Sequence, residues 1–318
     1  LHGAKVNKYL IKRMPKNLCF KFLFIILVFP KYPKRNRMKT TLLLPVCMIV
    51  CIKMLPAQTL RYSLAQPYIH LSAYSVRQND ALSFTGNQAA LAGTKQAGIG
   101  VFGERRFMLQ ETGVYTLAAA LPTRLGNVGI QLNTAGFKNF RENKLGLAYA
   151  RKLGKRVDVG VQFNYYGYSI PVYGKASAIN FEIGALFHLT DQLNAGIHVY
   201  NPVGGKIGKS AAGQGSGKEK LASVYKAGLG YDASDNFFIS CEIVKEEDKA
   251  VNVIAGLQYR FAKQFFAKAG FMSGSGTAWA GAGVGWKNMR LDIASGYHPQ
   301  LGFSPGILLF MHFKSKAE

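Results

Sequence analysis

The sequence predicts an all-β protein: an antiparallel transmembrane β-barrel of about 14 strands, with a plug-like segment ahead of it. Three observations carry that prediction. First, apolar and polar residues alternate over many short runs. In the run from Arg156 to Tyr166, Val157, Val159, Val161, Phe163 and Tyr165 share one parity, and Arg156, Asp158, Gly160, Gln162 and Asn164 share the other. A strand sends alternate side chains to opposite faces, and roughly 10 residues suffice for a tilted strand to cross a bilayer core. Second, the connections between runs alternate between short and longer, as periplasmic turns and extracellular loops do in outer-membrane barrels. Third, the composition is rich in Gly (35), Phe (21) and Tyr (16), which suits turns, aromatic girdles and strands rather than helices.

The chain divides as follows. Residues 1–37 read as an upstream extension produced by a mis-chosen translation start, with an N-terminal anchor as the competing reading. Residues 38–57 read as a signal peptide: Met38-Lys39, an apolar run from Leu42, and a cut between Ala57 and Gln58. Residues 58–94 have weak periodicity and many polar side chains, and read as a plug or periplasmic segment. Residues 95–318 form the barrel. Its strands are expected near 96–103, 112–121, 127–136, 143–152, 156–167, 177–189, 192–200, 221–232, 236–245, 250–261, 264–273, 277–286, 289–297 and 305–313.

Short connections are Pro122–Gly126, Leu153–Lys155, Thr190–Asp191, Ala233–Asp235, Ala262–Lys263 and Lys287–Asn288. Between them lie longer ones, Glu104–Glu111, Phe137–Glu142, Tyr168–Ala176, Asn201–Lys220 and His298–Ser304, together with two brief ones at Glu246–Lys249 and Gly274–Gly276. A soluble Greek-key sandwich has no reason to keep that order. Glycines such as Gly146, Gly160, Gly184, Gly196, Gly228, Gly230 and Gly256 fall mostly on the polar parity. They signal either close approach of a plug or slender ligand, or barrel curvature. Tyr149, Tyr165, Tyr200, Tyr231, Tyr259, Trp286 and Tyr297 near strand ends suit the aromatic girdles. The last strand alternates Ile307, Leu309, Met311 and Phe313, as final strands of such barrels do.

The net charge of +24 misleads, because residues 1–57 hold 12 Lys or Arg and no acid; the remainder carries +12. No basic helix and no aromatic–basic motif accompany it, so nucleic acid is not an expected partner. Cys19, Cys47 and Cys51 precede the expected cut, which leaves Cys241 as a small hydrophobe on an apolar parity. Gly204-Gly205-Lys206-Ile207-Gly208-Lys209-Ser210 imitates a phosphate loop, but Val203 stands where the first Gly should be, and no strand–helix frame surrounds it. The His residues lack the close spacing of a helical metal site, and neither a metal nor a cofactor is expected. Ser240 and Glu242 share a parity, but nothing fixes a His beside them, so no catalytic residue is assigned. The lumen-facing candidates for ligand contact are Arg156, Asp158, Glu182, His188, His198, Arg260, Lys268, Arg290 and Asp292, charged or titratable groups that would be costly on a lipid face.

One segment of the plug, Asn87-Gln88-Ala89-Ala90-Leu91-Ala92, resembles the Asn-Pro-Ala-(Gly/Ala)-Leu-Ala segment near the mature N-terminus of the PorV/PorQ-like outer-membrane proteins of Bacteroidota, which belong with the wider FadL-like barrels. Gln88 stands where that pattern has Pro. The resemblance implies a 14-stranded barrel in the outer membrane of a Gram-negative bacterium, with the N-terminal segment folded into the lumen. It implies one of two roles: passing or binding small hydrophobic solutes, or serving as a non-enzymatic, partner-docking component of a type IX-like secretion system. Outer-membrane lipid is the expected surrounding, and a hydrophobic small molecule or secretion-system proteins are the expected partners. A soluble secreted β protein, with its apolar faces turned inward, is the remaining alternative.

Overall fold

A computed structural model describes residues 67–313, apart from 172–173 and 210–218. The expected signal peptide at 38–57, the upstream extension at 1–37 and the start of the expected plug at 58–66 lie outside the described residues.

Sixteen strands follow in chain order: β1 (Gly98–Arg105), β2 (Gly113–Leu121), β3 (Asn127–Phe137), β4 (Phe140–Leu153), β5 (Val157–Ile170), β6 (Gly174–His188), β7 (Leu193–Tyr200), β8 (Lys206–Lys209), β9 (Glu219–Lys220), β10 (Val224–Asp232), β11 (Phe237–Glu246), β12 (Asn252–Arg260), β13 (Phe265–Met272), β14 (Thr277–Trp286), β15 (Met289–His298) and β16 (Gly302–His312). Fourteen of them, all but β8 and β9, form one antiparallel ring in which each pairs with its chain neighbours and β16 pairs with β1. No barrel strand keeps an open edge, which removes the usual hazard of unpaired backbone groups. β8 and β9 form a small hairpin in the β7–β10 connection, and β8 adds to the projecting end of β6 at Ala176 and Ser177.

The alternation is read out as expected, but the apolar side faces outward. On β3, Asn127, Gln131 and Asn133 are buried, while Val128, Ile130 and Leu132 are exposed. On β5, Gln162 and Asn164 are buried and Phe163 is 63% exposed. Leu147, Ile179, Ile197, Leu229, Ile243, Ile293 and Ile307 continue the outward apolar surface around the ring. A closed barrel with an apolar exterior and a polar interior is built to stand in lipid, in the bacterial outer membrane. That overturns the soluble alternative, in which these faces would have packed inward. Cys241 is exposed on the same outer surface.

The lumen is filled by residues 67–94. Four short 3-10 turns (Pro67–Ile69, Leu71–Tyr74, Ser83–Thr85 and Gln88–Gly93) fold back and forth there without forming a longer helix. Their apolar side chains (Tyr68, Leu71, Tyr74, Leu82, Phe84 and Leu91) pack with wall residues Phe102, Phe238, Trp279, Leu308 and Phe310 into one buried cluster. Trp279 and Tyr200 are buried, so Tyr200, expected in a girdle, belongs to the lumen side, where its hydroxyl accepts from Asn180. Leu186 breaks its strand's alternation because it also faces the plug; its side chain crowds the Cβ position of Gly196 beside Tyr74.

Strand bounds depart most, by three residues, at β4, β5, β6 and β16, which reach further than expected, and at β10, which begins at Val224 rather than at 221. β4, β5 and β6 run 14, 14 and 15 residues, whereas the other barrel strands run 8 to 11. The connection expected at Phe137–Glu142 shrinks to Lys138 and Asn139, and residues 168–170 and 174–176 of the next one join the ladder. The sequence pattern imitates a loop at these extensions because their outward residues turn polar, which breaks the apolar alternation while the backbone pairing continues. They lie at the end of the barrel opposite the short turns and the β1–β16 termini, hence on the extracellular side.

Candidate functional site

The candidate site is the interface between the plug and the inner wall, together with the vestibule above it. It rests on close backbone approach. A Cβ at Gly160 would lie 2.4 Å from the Gln88 carbonyl carbon, and one at Gly228 would lie 2.3 Å from the Tyr74 ring. Only Gly at these wall positions admits the plug. Close approach of the plug is realised at Gly160, Gly184, Gly228 and Gly230, whereas Gly146 makes room for the wall side chains Gln162 and Asn164.

The plug motif begins with Asn87 in extended conformation, its side-chain oxygen accepting from the Ala89 amide at 3.0 Å to cap the turn Gln88–Gly93. The Asn87 amide donates to the carbonyl of Ile197 at 3.2 Å, on the wall. Gln88 Nε2 donates to Glu182 at 2.5 Å. Ala89, Ala90 and Leu91 are fully buried, and Ala92 nearly so. Beyond them, Asn127 Nδ2 donates to the carbonyls of Leu91 (2.7 Å) and Thr94 (2.9 Å), tying down the exit of the plug.

Glu182 is the hub of the interior. Its carboxylate takes Lys144 Nζ at 2.5 Å and His198 Nε2 at 3.0 Å, besides Gln88, and all four side chains are buried. A carboxylate only accepts, so His198 carries its proton on Nε2. A second cluster joins β13, β15 and the plug: Lys268 meets Asp292 at 2.7 Å, and Arg290 reaches both Asp292 and plug residue Asp80 at 3.1 Å. A third fastens the first turns. Tyr74 donates to Glu242 (2.6 Å), and Ser75 (2.5 Å) and the Val76 amide (3.0 Å) donate to Asp232. Burial and the adjacent Glu242 charge hold the Tyr74 hydroxyl well above its ordinary pKa, so it remains a donor. Burial, with Lys226 and His198 nearby, holds His70 well below the usual imidazole value.

Of the nine lumen candidates, Glu182, Lys268, Arg290 and Asp292 thus belong to charged clusters, and His198 joins the first of them. Asp158 and His188 pair at 3.0 Å, and His188 also meets Asn194 at 2.8 Å. His188 and His198 serve separate partners. Arg260 is half-buried and lies over the Phe266 ring. Arg156 is a correction: it sits exposed in the β4–β5 turn rather than in the lumen, because the strand begins at Val157. Sequence reasoning missed Lys144, Asp80, Tyr74 and Asp232. Lys144 and Asp232 carried a signal, a charge on the polar parity of a strand; the plug residues carried none, because 3-10 turns leave no period to follow.

Above the plug, at the extracellular end, opens a vestibule of about 630 Å³ lined by the apolar Phe107, Val244, Ile254 and Met272 and by polar groups that include His70, Arg106, Lys226, Glu242, Glu246 and Lys249. Beside Glu182 and His198, a polar pocket of about 40 Å³ lies between plug and wall.

No family model matches the sequence, and no curated protein does. Solved structures do match in fold. The CymD monoaromatic hydrocarbon channel has a TM-score of 0.54 at 12% identity, over 78% of this chain and 100% of that one. The Pseudomonas putida toluene transporter TodX gives 0.51 at 9% identity, over 81% and 96%. A Pseudomonas aeruginosa FadL homologue gives 0.50 at 11% identity, over 80% and 98%. At such identities the likeness is one of fold, and the fold is that of the FadL- and TodX-like outer-membrane barrels of 14 strands.

Proposed function

We propose that the barrel takes small hydrophobic solutes into its extracellular vestibule and passes or holds them there, with the plug as its closed gate. The observation that carries this reading is the vestibule itself: an opening of about 630 Å³, partly lined by Phe107, Val244, Ile254 and Met272, with the first turn of the plug at its floor. That volume lies within the roughly 300–1,000 Å³ range of small-molecule sites. Solved channels of the same fold, described as carrying monoaromatic hydrocarbons or toluene, support the solute class.

The test is equilibrium binding of radiolabelled toluene to the detergent-solubilised barrel, compared with Ile254→Asp and Met272→Asp variants. Binding that falls by roughly tenfold or more in either variant is expected from burying a charge in an apolar contact. Toluene that partitions no better with the wild type than with empty micelles overturns the reading.

One observation favours a second reading, a PorV/PorQ-like barrel that docks secretion-system proteins. The plug is fastened by buried carboxylates at Glu182, Asp232 and Glu242, an arrangement suited to a permanently sealed lumen. That reading requires stable proteins to copurify in mild detergent while the vestibule binds no solute.

A further inference from the structure

The extracellular ends of β4, β5 and β6 carry a cleft on the outside of the barrel. Register places the outward residues of these three strands in cross-strand rows. From the periplasmic side upward these are Tyr149–Val161–Ile183, Leu147–Phe163–Phe181 and Leu145–Tyr165–Ile179. All nine of these residues are apolar or aromatic. The next row is Asn143–Gly167–Ser177, and the one beyond it is Arg141–Ser169–Lys175. The change from hydrocarbon-facing to cationic is therefore complete within two rows, about 13 Å along the strands.

A cleft of about 590 Å³ opens here, with Lys138, Arg141 and Lys175 beside Tyr165, Tyr168 and the small residues Gly167, Ser169 and Ser177. Gly167 leaves its centre open: a Cβ there would meet nothing nearer than 3.5 Å. The three cations are exposed, and none forms an ion pair with a described residue. The one acid of the neighbouring sequence, Glu142, turns inward and is 4% exposed. The cleft thus presents unmixed positive charge directed away from the lumen, just above the lipid-facing belt. Elsewhere on the same rim Lys249 pairs with Glu246, and Lys220 pairs with Glu247.

We propose that this cleft binds the phosphorylated headgroup of an anionic glycolipid in the outer leaflet. The acyl chains would lie along Leu145, Tyr165 and Ile179, and the phosphate would be held by Arg141 and Lys175, with Lys138 at the rim. Arginine and lysine both bind phosphate, arginine with two parallel donors, and basic residues next to a bilayer surface select anionic lipids. Height decides for a lipid over a soluble anion: the cations stand one polar row above the acyl region, where a headgroup phosphate lies and where hydrocarbon and charge can be met by one molecule.

The test uses the purified full-length barrel in neutral detergent, with diphosphoryl lipid A, its dephosphorylated form and inorganic phosphate as probes, read by native mass spectrometry and by competition. Wild type is expected to retain diphosphoryl lipid A roughly tenfold or more better than the K138Q/R141Q/K175Q triple variant, and better than it retains the dephosphorylated form. Gly167→Leu, which keeps all three charges but fills the cleft, should lose the lipid as well. Lys249→Gln, on another face of the rim, should keep it. All substituted positions are on the surface, and an unchanged heat-induced gel shift reports the intact barrel. Equal retention by wild type and triple variant overturns the site. Displacement of the lipid by millimolar inorganic phosphate, with no preference for lipid A, overturns the lipid assignment.

Discussion

Glu182 shows how one side chain can fix two structures. It lies at 2% exposure on β6, and its oxygens hold a wall cation, a wall histidine and the plug residue Gln88. Removing it takes one carboxylate from between Lys144, His198 and Gln88, so Glu182→Gln should cost about 3–5 kcal/mol. The cost would be read as a lowered temperature for conversion from the folded to the unfolded gel band. Gly160→Ala acts on the same contact from the opposite side. Its Cβ would collide with the Gln88 backbone, which cannot turn away as a side chain can. The barrel should still close, but with the plug displaced and ion conductance raised in planar bilayers. His70 adds a pH dependence. Seated, its pKa is held below the ordinary value of about 6.5 by burial and by Lys226; released into water it regains that value. Between those two values the released form binds more protons, so seating is strongest above about pH 6.5 and weakens as pH falls below it. Conductance should rise between pH 7 and 5, and His70→Gln should remove that part of the rise.

At the scale of elements, depth in the membrane sets the cost of a substitution. Leu147 points outward from the middle of β4, and Leu153 from its periplasmic end. Leu147→Arg should cost about 2–4 kcal/mol and Leu153→Arg no more than about 1, measured by urea titration of folding into thin phospholipid vesicles. Alternation made these elements readable. It survives wherever an outward residue meets hydrocarbon and the inward one meets the polar lumen, which is why all fourteen barrel strands lie close to their expected spans. It fails where one side changes solvent. Residues 168–170 and 174–176 pair as strand, but the outward Ser169 and Lys175 are polar, so the pattern there imitates a loop. It fails again in the plug, where side chains such as Tyr74 and Asp80 find partners 168 and 210 residues away, beyond the reach of any local pattern. The charged lumen residues were legible as a class; which of them meet, as Glu182 with Lys144 or Asp158 with His188, was not, because pairing depends on barrel register.

At the scale of the molecule, the wall closes by its own strand pairing and the plug fills it. Deletion of residues 58–93 should leave a closed ring, since every barrel strand has both neighbours without the plug, but one with an unblocked lumen. The expected result is a heat-modifiable barrel with larger single-channel conductance. An unchanged conductance would remove the plug from its role as gate. Charge is divided by surface as well. The interior neutralises its own in clusters around Glu182 and Asp292, while the extracellular rim above β4 to β6 leaves its cations to the surroundings.

The pairing of β1 with β16 has a consequence for biogenesis. The last-made strand must find the first, and the plug lies immediately upstream of that first strand. If the plug is seated first, the wall is wrapped around its filling, as sheet metal is rolled on a mandrel, and the seam shuts when β16 meets β1. A chain that zips this seam too early locks its own N-terminal segment outside, so the order of events during insertion, as much as the final set of bonds, decides whether a sealed or an empty cylinder is made.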